Sequence, residues 1–135
     1  MSEMEPLEVA RDYNEAYRAR DVDRMLTLVD DACEFVSPRG VMRGHAAVRA
    51  FMERQSYGVT MVPTEQRYFA RGDTVVVYGV VEWRYVDSGE LAGREEGGIG
   101  FCIREGRIVG FTPYDDLATA LSTTGLTAAD ENRSR

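Results

Sequence analysis

The chain of 135 residues carries one histidine, two cysteines, four prolines and one tryptophan. A lone histidine, His45, rules out a histidine-rich metal site and leaves one general base for any serine or cysteine triad. Cys33 and Cys102 lie far apart and belong to no C-x-x-C pair, so they read as small buried hydrophobes in a reducing compartment. No metal and no cofactor is expected. Basic residues are scarce as well, 16 against 23 acidic ones, for a formal charge of −7. Without a basic stripe to neutralise phosphates, nucleic acid and membrane surfaces are excluded as expected partners. The opening MSEMEPLEVARDY is too charged for a secretory core, and no apolar run is long enough to cross a bilayer. These absences point to a cytoplasmic protein.

What is present fits one domain, residues 1–126, long enough to bury a core without disulfides or metal, followed by a polar tail, 127–135, expected to be disordered. Pro6 at a first helical position, then Leu7, Ala10, Tyr13, Ala16 and Tyr17 at helical spacing, predict a helix from Pro6 to Ala19. Asp21 reads as the N-cap of a shorter helix whose apolar stripe is Met25, Leu26, Leu28 and Val29. A first strand, CEFVS, ends at Ser37. After the turn Pro38-Arg39-Gly40, Gly44 precedes a third helix with Ala47, Val48, Phe51 and Met52 on its buried face. From about Thr60 the pattern becomes β-rich, with hairpin loops at Arg71-Gly72-Asp73, Asp87-Ser88-Gly89 and Arg104-Glu105-Gly106.

The last two loops place glycine third of three, as a type I turn with a G1 bulge requires, so Val86 should pair with Glu90 and Ile103 with Arg107. Counting back sets Trp83 opposite Gly93, Val81 opposite Glu95 and Gly79 opposite Gly97. In the final hairpin it sets Ile99 opposite Phe111, Phe101 opposite Val109 and Gly97 opposite Pro113. The odd-numbered positions Val81, Trp83, Tyr85, Leu91, Ile99, Phe101, Val109 and Phe111 then form the core face. The even face pairs Glu82 with Arg94 as an exposed cross-strand ion pair. Glu95 breaks the pattern, since it falls on the apolar face beside open space at Gly93 and Gly97. A carboxyl there is disfavoured as the ion and suits general acid or base work, unless it sits at a solvated rim or a bulge turns it outward.

Three stretches, YNEAYRARDVDRMLTLVDDACEFVSPRG, RGHAAVRAFM and GFCIREGRIVGFTPYDD, sit in an order of helices and strands that resembles the nuclear transport factor two-like superfamily, including its SnoaL-like and ketosteroid isomerase-like domains. The resemblance covers about residues 7 to 121. It implies an α+β fold, a cone-shaped, curved antiparallel sheet wrapped around the N-terminal helix with a deep pocket between them. It places Tyr13 on the tyrosine that donates to the dienolate oxygen in ketosteroid isomerases. Ser37 stands where those enzymes carry the proton-moving aspartate, and Gly97 or Gly98 where they carry a second acid. Pro113 occupies an aspartate position of limonene epoxide hydrolases, whose other partners would have to be Glu82 and Arg84. His45 is poorly placed for the histidines of scytalone dehydratases.

Two functions remain open at this level. One is a SnoaL-like enzyme that moves protons on a small, largely apolar carbonyl compound, with Tyr13 as oxyanion donor and Glu95 as acid or base. The other is a non-catalytic, dimeric binding module for a small hydrophobic molecule. For either, the expected pocket is lined by Tyr17, Phe35, Ser37, Phe51, Trp83, Gly97, Ile99, Phe111 and Pro113. A homodimer is expected through the outer sheet face, where Val76, Tyr78, Val80, Gly98, Gly100 and Cys102 would otherwise leave an apolar patch.

Overall fold

The computed structural model describes residues 4–37, 40–54 and 58–132. Helix α1, Pro6–Arg18, starts at the expected proline, is closed by a reciprocal Glu5–Glu8 capping box, and buries Val9, Ala10, Tyr13, Ala16 and Tyr17 on one stripe. Helix α2, Val22–Leu28, is capped by Asp21, whose side chain accepts from the Arg24 N–H at 3.2 Å. Strand β1 runs Val29–Ser37 and so begins four residues earlier than CEFVS. Val29, expected to close the helical stripe, is instead extended and pairs with Ile108, as suits a β-branched side chain.

Strand β2, Gly40–Arg43, returns antiparallel to β1. Its four residues are all exposed and carry no alternation of polarity, so nothing in the pattern announced a strand. The expected turn falls partly on residues 38 and 39, outside the described residues. Helix α3, Gly44–Arg54, buries Gly44, Ala47, Val48 and Met52, with Phe51 half-buried against the same core.

Strands β3 (Val59–Arg71), β4 (Thr74–Tyr85), β5 (Leu91–Arg104) and β6 (Arg107–Tyr114) form the meander, followed by helix α4 (Leu117–Thr124), a 3-10 turn (Ala128–Asp130) and strand β7 (Glu131–Asn132). The sheet order is β2-β1-β6-β5-β4-β3-β7, antiparallel throughout except for the parallel β1–β6 pair, and the sheet does not close on itself. Helix α1 packs on one face across β3 to β6 and α4 on the other. This is the α+β arrangement that the resemblance implied.

The hairpin registers correct several expectations. Trp83–Gly93, Val81–Glu95 and Gly79–Gly97 pair as counted, but Tyr85, not Val86, closes the hairpin, its N–H donating to the Glu90 carbonyl at 2.9 Å. The Val86 N–H goes to the Gly58 carbonyl at 2.8 Å instead, and a bulge after Trp83 absorbs the difference. In the last hairpin Arg104 pairs with Arg107 around a two-residue turn in which Glu105 (φ 53°) and Gly106 (φ 76°) are both left-handed, a type I′ turn. The pairs are therefore Phe101–Phe111 and Ile99–Pro113, two residues from the expected count. A slip of two keeps every side chain on its face, so Phe101 and Phe111 still point inward. A bulge beside Ile103 then buries Ile108 where Val109 was expected. Tyr85 and Leu91, expected in the core, are each 50% exposed at the hairpin end.

The remaining corrections concern the outer face. Glu82 and Arg94 are paired in register, yet Glu82 bonds Arg84 at 2.8 Å and Arg94 reaches Glu65 at 3.4 Å. Val76 and Tyr78 are buried under Ala120 and Leu126 in a second cluster with Phe69. The chain's own α4 thus covers the part of the patch that suggested a dimer. Residues 127–132 are not structureless, since β7 pairs with β3 through Tyr68–Asn132 and Phe69–Glu131, and Arg67 holds Glu131 at 2.9 Å. Among the described residues no helix is long and apolar enough to cross a membrane, and no cluster of side chains could hold a metal ion.

Candidate functional site

Between α1, α3 and the concave sheet lies a cavity of about 230 Å³. Its walls are mainly apolar or aromatic: Phe51, Met61, Val77, Ile99, Phe101 and Phe111 line it, with Gly97 from the middle of β5 and Pro113 near the end of β6. Tyr13 and Tyr17, one helical turn apart on α1, both face it.

The two hydroxyls have different fates. Tyr17 donates to the Met61 carbonyl at 2.7 Å and is thereby a structural tie between α1 and β3. Tyr13 stacks edge-on against Phe101 and Phe111, with ring centroids 5.9 and 6.1 Å away, and among the described residues its hydroxyl makes no hydrogen bond. No fully buried side-chain polar atom of the described residues lacks a partner. The Tyr13 oxygen, without one, must therefore keep contact with the cavity's own space. Burial, then the neighbouring Cys33 and Tyr17, push its ionisation well above the ordinary tyrosine range. It stays a neutral donor in the presence of any ligand.

Carboxylates gather only at the mouth. Glu95, Glu96 and Asp115 line the opening and all three are exposed. Glu95 is cross-strand from Val81 as counted, but it swings to the rim, where Trp83 donates its indole N–H to it at 2.9 Å. The rim is the open alternative for Glu95, and burial among apolar walls is not its situation. Three acidic groups at one entrance make a poor approach for an anion, and the interior walls suit a neutral molecule.

Three expected lining residues lie elsewhere. Phe35 packs its ring on Phe111 at 5.0 Å, behind the cavity wall. Trp83 bonds Glu95 at the rim and is not part of the lining. Ser37 donates to the Gly40 carbonyl at 3.1 Å and so fastens the β1–β2 turn. Its hydroxyl closes a strand. His45 is likewise committed, with ring Nε2 2.8 Å from the Val29 carbonyl and its backbone N–H donating to the Asp31 carboxylate at 3.0 Å. Two polar residues that the sequence reading passed over do line the cavity, Asn14 and Gln66. Asn14 follows Tyr13 directly on α1, and Gln66 is turned inward by a bulge in β3 that no alternation of residues announces.

The family model for the SnoaL-like domain matches residues 10–111. The chain belongs to the SnoaL-like domain family. Similar solved structures share the fold. A putative polyketide cyclase from Xanthomonas campestris pv. campestris is 23% identical, with 87% of this chain and 94% of that one covered at a TM-score of 0.72. A nuclear transport factor two-like protein from Burkholderia xenovorans LB400 is 22% identical over 92% of this chain and 98% of that one, at 0.71. An LEH-like epoxide hydrolase from M. tuberculosis is 17% identical over 87% of this chain and 86% of that one, at 0.69. No curated protein sequence matches the chain.

As a SnoaL-like domain the chain keeps Tyr13 in the cavity and has glycine at 97 and 98, also on the lining. Glu82 and Arg84 bond each other on the outer face, while Pro113 lines the cavity.

Proposed function

We propose that this SnoaL-like domain binds a small, neutral, largely apolar carbonyl compound, with the carbonyl oxygen accepting a hydrogen bond from Tyr13. The observation that carries this reading is the Tyr13 hydroxyl, a protonated donor without a protein partner among the described residues, in a cavity whose walls are mainly apolar. An unmet donor in an apolar site favours ligands that bring the missing acceptor. The site is complete within one chain, whose own α4 partly covers the apolar patch that suggested pairing.

A second reading is favoured by Glu95, which lines the same cavity at its mouth. In it, Glu95 takes a proton from the carbon next to the carbonyl, the electron pair moves onto the carbonyl oxygen, and Tyr13 stabilises that enolate by its hydrogen bond. The proton returns from Glu95 to carbon, so no other reactant is consumed.

One bicyclic ketone separates the readings. Wild-type protein should bind 1-tetralone more tightly than tetralin, its parent hydrocarbon, and Tyr13→Phe should erase that difference; equal affinities in wild type would end the carbonyl reading. In deuterated buffer, proton NMR of 1-tetralone then follows loss of the protons beside the carbonyl. Acceleration by wild type but not by Glu95→Gln supports proton transfer, and an unaccelerated rate leaves binding alone.

A further inference from the structure

Four side chains beside the cavity form a hydrogen-bonded chain whose direction is fixed at one end. The Arg18 guanidinium, which can only donate, bonds Oε1 of Gln66 at 3.0 Å. That interaction fixes which end of the Gln66 amide faces the chain. Tyr68 has a single hydroxyl proton and directs it to the same Gln66 oxygen at 3.5 Å. The Tyr68 oxygen is then left to accept, and it accepts from Nδ2 of Asn14 at 2.9 Å. Arg11 lies over the Tyr68 ring, 5.1 Å from its centroid, and limits the ring's movement.

The consequence falls on Asn14. Its amide nitrogen is turned to Tyr68, so its carbonyl is turned away, and among the described residues that oxygen has no partner. It is not sealed in either, since every fully buried polar atom of those residues is bonded. Asn14 lines the cavity next to Tyr13. Adjacent residues of one helix therefore bring a donor, the Tyr13 hydroxyl, and an acceptor, Oδ1 of Asn14, to the cavity.

We infer that Asn14 is a specificity-determining residue, whose carbonyl, oriented by the Arg18–Gln66–Tyr68 chain, selects carbonyl compounds that also carry a hydroxyl group. The inference rests on the carbonyl reading above and narrows its ligand class. Asn14 touches the ligand hydroxyl. Tyr68 is a positioning residue, because without its oxygen the Asn14 amide is free to turn over and offer a second donor instead.

The test compares 1-tetralone with its 5-, 6- and 7-hydroxy isomers by calorimetry. A neutral hydrogen bond inside a site is worth about three- to tenfold in affinity. Wild type should prefer at least one hydroxy isomer over 1-tetralone by that factor, and the ratio should fall to about one in Asn14→Ala. Tyr68→Phe, which retains the ring, should lower the same ratio, an effect that a purely structural Tyr68 would not have. If 1-tetralone binds through Tyr13 but no isomer is preferred, or if the preference survives Asn14→Ala, the inference is overturned alone. If 1-tetralone binding does not depend on Tyr13, the carbonyl reading and this inference fall together.

Discussion

The indole N–H of Trp83 donates to the Glu95 carboxylate at 2.9 Å, diagonally across the β4–β5 pair, where Trp83 faces Gly93 and Val81 faces Glu95. The bond draws Glu95 to the rim of the cavity. Its exposure there removes the burial that would have set its charge against stability. Glu95→Gln keeps an acceptor for the indole, so we expect it to change stability by less than about 0.5 kcal/mol. Thermal melts of the two proteins at pH 7 should coincide; a clear rise of the variant's melting temperature would mean that Glu95 turns inward.

Tyr13 and Tyr17 offer a matched pair of substitutions. Tyr17→Phe loses the bond to the Met61 carbonyl and should cost about 0.5–1.5 kcal/mol. Tyr13→Phe removes a hydroxyl without a protein partner and should leave stability within about 0.5 kcal/mol of wild type, while weakening ketone binding. Urea titrations of the two variants check the contrast. A Tyr13→Phe loss as large as that of Tyr17→Phe would show a protein partner for the Tyr13 hydroxyl.

Gly79 is held by a steric constraint. A Cβ there would stand 1.7 Å from the Glu65 carbonyl oxygen, a backbone atom of the β3 bulge, whereas at Gly93 the nearest atom is a side-chain carbon of Trp83 at 3.9 Å. Gly79→Ala should therefore destabilise the fold by at least about 2 kcal/mol, and Gly93→Ala should cost less than about 0.5 kcal/mol. Since Gly79 lines the cavity, its variant should also weaken binding of 1-tetralone. Similar midpoints for the two variants in denaturant would refute the bulge constraint.

Alkaline pH should unfold the protein through two buried acids. Burial, then Asp30, Glu34 and Cys102, push the Cys33 thiol up to about 12, and burial raises Tyr13 as well. The folded state holds these protons more tightly than the unfolded chain. Their contribution is complete below the unfolded-state values and falls as pH rises past about 9 for the thiol, by at most about 1.4 kcal/mol per pH unit. Melting temperature should decline between pH 9 and 10, and Cys33→Ala should flatten that decline. An unchanged slope in the variant would assign the alkaline loss to other groups.

The amino-acid order by itself determined the first three helices, the meander and part of the inward set of side chains. Pro6, Asp21 and the spacing of Tyr13 from Tyr17 act within a few residues, and period-two alternation survived even a two-residue error in the last hairpin because such a slip leaves each face intact. Tyr13, Phe51, Ile99 and Phe111 line the cavity. What the tertiary structure alone decided came from contacts between distant segments. Whether Val76 and Tyr78 are surface or core depends on α4 and Leu126 reaching them. That the Ser37 hydroxyl is spent on the Gly40 carbonyl, and that Trp83 holds Glu95 at the rim, depends on partners the strand sequence alone does not name. The bulge between Pro63 and Glu65 shifts β3 by one residue, so Pro63 pairs with Val81 but Tyr68 with Val77. That single extra residue turns Gln66 and Tyr68 onto the concave face. A bulge is an agreement between two strands about spacing, and one strand's sequence does not carry it.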